Sequence, residues 1–168
     1  MENLINSIKQ SLENRNWYAA LILALTLPDI AGKIEYPSQR SSRHRYCQWF
    51  ENYILDYYTA EIGPKKTKTT FLSGSDCYAL RCAYLHEGNS EITGQSAREA
   101  LDDFQFVAPL EKSLIVLHNN RINNKLQLQV DIFCNDIING INNWVKANSD
   151  DVKKLERLNS FLTIYEIK

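Results

Sequence analysis

Apolar residues return at helical spacing along most of the chain, and short polar runs mark where that rhythm stops. Leu4, Ile5, Ile8 and Leu12 share one stripe between residues 3 and 13, and Asn14 to Asn16 interrupts it, which predicts a first helix. From Trp17 to Ile34 the sequence is apolar on nearly every side, as a central core helix requires. Pro28 lies inside this run; because proline lacks an amide donor and crowds the preceding turn, it is expected to kink or split the helix before Asp29. Glu35-Tyr36-Pro37-Ser38 closes the segment. A third helix is predicted from Ser41 or Ser42 to Tyr58, with Tyr46, Trp49, Phe50, Tyr53, Ile54 and Tyr57 forming a broad aromatic face.

Beyond it, Gly63-Pro64 followed by Lys65, Lys66 and Lys68 predicts a flexible, positively charged loop over residues 60 to 72. The next helix has the clearest ends. Ser73-Gly74-Ser75-Asp76 supplies a cap and an acidic first turn, and Gly88 stands where a left-handed C-terminal cap is needed, giving a helix over about residues 75 to 87. A polar connector, Asn89 to Ser96, leads to an expected short helix around Ala97 to Asp103. Ser113 to His118 and the alternating run Lys125 to Val130 flank the turn-rich Asn119 to Asn124, which predicts a β-hairpin at about residues 113–130. Ile132, Phe133, Ile137, Ile138, Ile141 and Trp144 mark a further amphipathic helix, and Asp150 to Leu158 a last short one. The expected fold class is mainly α: one helical domain over residues 1–168 with an inserted β-hairpin.

Composition narrows the function more than the fold. Lys and Arg total 19 against 20 Asp and Glu, so the net charge of −1 provides no global field for nucleic acid or an anionic membrane. A polyanion would have to be held by local groups, and Arg40, Arg43 and Arg45 with Lys65 and Lys66 are the candidates for substrate binding. Cys47, Cys77, Cys82 and Cys134 are too scattered for a zinc site or a disulfide framework and are expected to be reduced, in a cytoplasmic protein. The strongest apolar run, Trp17 to Leu27, is too short to span a bilayer, and a mixed-charge start precedes it, so neither secretion nor a membrane partner is expected.

The sequence has no Gly-rich phosphate loop, no nucleophile elbow, no H-E-x-x-H and no paired-carboxylate signature. Of the three histidines, His44, His86 and His118, His86 stands out, because it ends the well-capped helix five residues after Arg81. Residues 78 to 90, Tyr-Ala-Leu-Arg-Cys-Ala-Tyr-Leu-His-Glu-Gly-Asn-Ser, resemble the signature of the HEPN superfamily, in which Arg and His lie four to six residues apart near the end of a helix. Apolar residues precede the Arg and fill the interval, and a small residue soon ends the helix. Cys82 stands where family ribonucleases often place a polar residue, and Gly88 where some toxins carry a modified Tyr.

The resemblance implies a HEPN-like helical bundle and a metal-independent endoribonuclease, a toxin or anti-phage component that needs no cofactor. RNA is the implied partner, together with a second copy in a homodimer and an antitoxin or regulatory protein. The implied catalytic residues are Arg81 and His86. Independently of any family, RNA cleavage without a metal needs a group that takes or gives a proton near neutral pH, which imidazole supplies. It also needs a fixed cation for the charge on the phosphorane-like transition state, which guanidinium supplies. The competing expectation is a non-catalytic module on the same scaffold that binds a nucleotide, RNA or a protein. On an ideal helix a five-residue offset separates Arg81 and His86 by about 140°, so convergence relies on the length of the Arg side chain or on a second copy of the helix.

Overall fold

The computed structural model describes residues 1–110, 115–159 and 164. Its helices are α1 (Glu2–Glu13), α2 (Trp17–Glu35), α3 (Ser42–Tyr53), α4 (Gly74–Glu87), α5 (Val130–Ala147) and α6 (Val152–Asn159), with a 3₁₀ turn at Leu55–Tyr58. The strands are β1 (Thr59–Ile62), β2 (Thr67–Thr70), β3 (Asp103–Val107), β4 (Asn120–Ile122) and β5 (Lys125–Gln129). The chain is therefore mainly α, with an antiparallel β1-β2 pair and a three-stranded sheet ordered β3-β5-β4.

α2 is central and packs against α1, α3, α4, α5 and α6. Contrary to the expectation from Pro28, it continues unbroken to Glu35, and Pro28 itself is buried. Packing against five other helices holds the segment helical, so tertiary packing outweighs the local breaker. At 19 residues, α2 is long and apolar enough to cross a membrane by length and composition, which the shorter apolar run does not suggest. Ala20, Leu21, Ala24, Leu25, Leu27, Pro28, Ala31, Gly32 and Ile34 are buried in the core.

α3 ends five residues earlier than expected. At Ile54 the backbone turns to φ −122° and the chain tightens into the 3₁₀ turn. The change of period brings Tyr58 into the core beside Tyr46, Trp49, Phe50 and Ile54, and leaves Tyr57 exposed. The expected loop over residues 60 to 72 is instead largely the β1-β2 hairpin, with Ile62 opposite Thr67 and a turn closed by Lys66 N–H on the Gly63 carbonyl at 3.0 Å. Threonines at 67, 69 and 70 suit the strand, whereas Gly63-Pro64 marks only its turn.

No helix forms around Ala97 to Asp103. Asp76, 1% exposed, captures the backbone there: its Oδ1 accepts from Glu99 N–H at 2.6 Å and from Ala100 N–H at 3.2 Å. Those amides are thereby committed outside any helical ladder. The predicted hairpin is half correct. β5 forms, but its antiparallel partner β4 falls within the stretch expected to turn, and the turn is Asn123-Asn124. Residues 115 to 118 form no strand, and Ser113 and Leu114 lie outside the described residues. The other neighbour of β5 is β3, in parallel, with Phe104 opposite Leu126 and Phe106 opposite Leu128.

α4 matches its sequence signals at both ends. Ser73 Oγ accepts from Asp76 N–H at 3.1 Å, and Gly88 takes the left-handed conformation (φ 67°, ψ 21°) while Asn89 N–H reaches back to the Ala83 carbonyl. A Cβ on Gly74 would come within 2.9 Å of Cys47 Cα, so glycine is what lets the first turn of α4 lie against α3.

Candidate functional site

Arg81 and His86 leave α4 in different directions, yet their side chains meet. Arg81 Nη1 lies 3.3 Å from His86 Nε2 at the C-terminal end of the helix. A guanidinium can only donate, so Nε2 accepts and a neutral ring carries its proton on Nδ1, an assignment that follows from this one bond. The length of the Arg side chain closes the angular gap left by the five-residue spacing. His86 is exposed and half of the pair is thus open to a substrate.

The other edge of the guanidinium meets a residue that the sequence does not nominate. Asp29 Oδ2, on α2, lies 2.6 Å from Arg81 Nε; the two side chains are 21% and 23% exposed. Neither atom makes an aligned hydrogen bond to the other, so the contact is best described as an ion pair held by proximity. Burial pushes the Asp29 carboxyl above the usual range, against the opposing pull of Arg81 and, more weakly, Arg45. Burial works against the Arg81 charge, but Asp29 and Cys82 together more than offset it, and the guanidinium is held above its ordinary value. Cys82 and Tyr78 border this cluster, and the Tyr78 hydroxyl lies 2.9 Å from Ser42 Oγ.

The expected phosphate-binding residues do not gather around it as one patch. Arg43 gives Nη2 to the Ala97 carbonyl at 3.1 Å, and Arg45 gives Nη1 to the Arg40 carbonyl at 3.0 Å, so both hold loops in place. Arg40 is exposed ahead of α3. Lys65 and Lys66 are exposed at the tip of the β1-β2 hairpin. Arg43 also lines an open groove of about 600 Å³ with Gln39, His44, Cys47, Glu51 and Ser75. Burial raises the Cys47 thiol there, and its Sγ lies 3.9 Å from Ser75 Oγ. Among the described residues, no group of three or more His, Cys, Asp or Glu side chains is arranged to hold a metal.

A second carboxylate cluster is buried on the far side of the sequence. Asp136 Oδ2, on α5, accepts from the Tyr58 hydroxyl at 3.1 Å and lies 3.7 Å from His118 Nε2. Gln129 N–H donates to His118 Nδ1 at 3.3 Å, which places the proton of the neutral ring on Nε2, facing Asp136. The His118 and Asp136 side chains are 10% and 15% exposed. Burial moves the Asp136 carboxyl up to about 6, and burial likewise moves His118 below its ordinary value.

Sequence spacing misses both carboxylates. Asp29 precedes Arg81 by more than fifty positions, and Asp136 follows His118 across two strands and a helix start. The available signal is weak: Asp29 directly after a buried proline, and Asp136 on the apolar stripe of Phe133 and Ile137. The chain matches no protein-family model, no curated protein and no solved structure.

Proposed function

We propose that this protein is a metal-independent endoribonuclease of HEPN type, cytoplasmic and of the toxin or anti-phage kind, with Arg81 and His86 as its catalytic residues. The observation that carries the reading is the 3.3 Å approach of Arg81 Nη1 to His86 Nε2 at the exposed end of α4. A permanent cation and a titratable imidazole are the two groups that cleavage by an internal 2′-hydroxyl requires.

In the resting site the Arg81 N–H occupies the Nε2 lone pair. An RNA phosphate offers that guanidinium stronger acceptors. As Arg81 turns onto the phosphate oxygens, Nε2 is freed to take the 2′-hydroxyl proton. The 2′-oxygen then bonds to phosphorus, and the bond from phosphorus to the 5′-oxygen breaks, leaving a 2′,3′-cyclic phosphate. The leaving 5′-oxygen takes a proton from an acid, and the His86 of a second copy would supply it in a homodimer. The surroundings favour such a pairing, since Tyr18 and Ile22 on α2 are 75% and 41% exposed and Tyr84 on α4 lies near Tyr18.

A second reading is a non-catalytic module that binds a nucleotide, RNA or a protein. It draws on Cys82 beside Arg81 and on the use of Arg43 and Arg45 as loop braces. Incubating the protein with RNA in the presence of EDTA separates the two. Cleavage to cyclic-phosphate ends, lost in Arg81→Ala and His86→Ala, supports the nuclease, whereas binding without cleavage supports the module. An antitoxin or regulatory protein, if one restrains the nuclease, is expected to cover the end of α4.

A further inference from the structure

Arg81 has to do two things in succession in the proposed reaction: reach across the turn of α4 to His86 in the resting site, and then present donors to phosphate in a fixed orientation. A flexible Arg on a helix surface does neither reliably, because ordering its long side chain costs rotamer entropy. The fork needs an anchor on its inner edge. Asp29 occupies that place, at 2.6 Å from Nε, and comes from a different helix. α2 is the most enclosed helix of the bundle and α4 packs directly on it, so the anchor stands on a rigid element.

We propose that Asp29 is a positioning residue: it holds Arg81 by the Nε edge so that the Nη edge faces His86 and an incoming phosphate. This rests on the nuclease reading for the identity of the phosphate, but the anchoring itself does not. The same carboxylate sets a limit on affinity, because a negative charge next to Arg81 opposes a phosphate. Asp29 thus trades substrate binding for orientation, and its removal should move kcat and KM in different senses.

The surroundings of Asp29 define its pH response. From α3 it faces Arg45 and Tyr46, and from α4 Cys77, Tyr78 and Arg81. Only the two arginines are charged near neutral pH. Burial raises the Asp29 carboxyl above its ordinary range, so acid releases the anchor earlier than it would protonate a free carboxylate. As pH falls, Arg81 loses its orientation while keeping its charge.

The test compares the full-length protein with Asp29→Asn and Asp29→Glu. Its readouts are kcat and KM on an RNA oligonucleotide across acid and neutral pH, together with the ¹⁵N-detected Nε–H resonance of Arg81 in each protein. Asp29→Asn is expected to lower kcat about tenfold or more, as misplacement of a catalytic group does, with KM unchanged or lower. Asp29→Glu should recover part of kcat, and the acid limb that follows Asp29 protonation should vanish in Asp29→Asn. The Arg81 Nε–H signal should be sharp in the parent, follow the titration of Asp29, and broaden in Asp29→Asn. Equal kcat and KM in parent and Asp29→Asn, or an Arg81 signal indifferent to Asp29, overturns the proposal. A parent that cuts no RNA refutes the nuclease reading alone. The parent's own pH titration of the Arg81 signal then still decides whether Asp29 anchors it, even if Asp29→Asn fails to fold.

Discussion

Two of the carboxylates that face a nitrogen side chain, Asp29 and Asp136, differ in the partner they meet. Asp29 sits largely covered at the seam between α2 and α4, and its neighbour is Arg81, which keeps its charge at every accessible pH. Asp136 sits deeper, against His118 and the Tyr58 hydroxyl, both of which can be neutral. Seams tolerate a permanent ion pair because water still solvates its outer face. The His118–Asp136 pair has a titratable neighbour instead, which lets it shed its charge. The difference in accessibility separates their uses: the first cluster ends at an exposed His86, whereas the second is enclosed by aromatic rings, with Tyr58 and His118 centred 5.7 Å apart.

That contrast is broken most directly by exchanging one histidine at a time for alanine. His86→Ala is expected to lower RNA cleavage by about 100-fold or more, the scale of a lost general acid or base, while the melting temperature stays at the parent value. His118→Ala should leave cleavage intact and destabilise the fold by roughly 2 kcal/mol, or about 6 °C, because it empties a buried site and strands the Gln129 N–H. Melting curves and initial rates on the same samples decide it. A folded His118→Ala protein without activity would reverse the two assignments.

Smaller changes sharpen the buried side. Tyr58→Phe removes the hydroxyl that Asp136 accepts from and is expected to cost about 1–2 kcal/mol, read by chemical denaturation at neutral pH. Asp136→Asn should do the opposite above pH 6. In the fold Asp136 gives up its proton only at about 6, against an ordinary 3.8, so its ionised form opposes folding at neutral pH and the penalty shrinks as pH falls from about 6 towards 3.8. Asparagine removes the penalty and keeps an acceptor for Tyr58. The expected gain is about 1 kcal/mol at pH 7.5, shrinking to nothing near pH 4.

His118 acts with the reverse sign. Its folded-state affinity for a proton is lowered by burial, so stability is lost as pH falls below about 6.5. Asp131, the other acidic group near the ring, counters this in part. In Asp136→Asn the His118 contribution stands alone and acid should destabilise the variant more steeply than the parent, as pH-dependent melting would record. The smallest effect is expected at Gly88→Ala, which places a Cβ in a left-handed conformation (φ 67°) and should cost about 1 kcal/mol. It should also loosen the last turn of α4 and reduce cleavage through His86 rather than through His118.

Local signals account for α4 from end to end, because its Ser73 cap and its Gly88 stop act within a turn of the residues they serve. The same holds for α1 and for the stripe of α5. Breakers and turns were less legible wherever a distant residue intervened. Pro28 looks like the end of a helix until the core around α2 is assembled, and the Ala97 to Asp103 segment looks helical until Asp76 claims its amides. β5 also takes β3 as a parallel neighbour, which alternation alone cannot name.

What the sequence determined by itself is the set of short-range choices: where amphipathic helices run, how α4 is capped, and that an Arg and a His share its last turns. These follow from propensity, period and capping, which act over a few residues. The tertiary structure alone decided that Arg81 would reach His86, that Asp29 would hold its other edge, and that His118 would be enclosed with Asp136. Such pairings depend on how α2, α4 and α5 pack, and the partner each carboxylate meets there sets which one is helped to keep its charge.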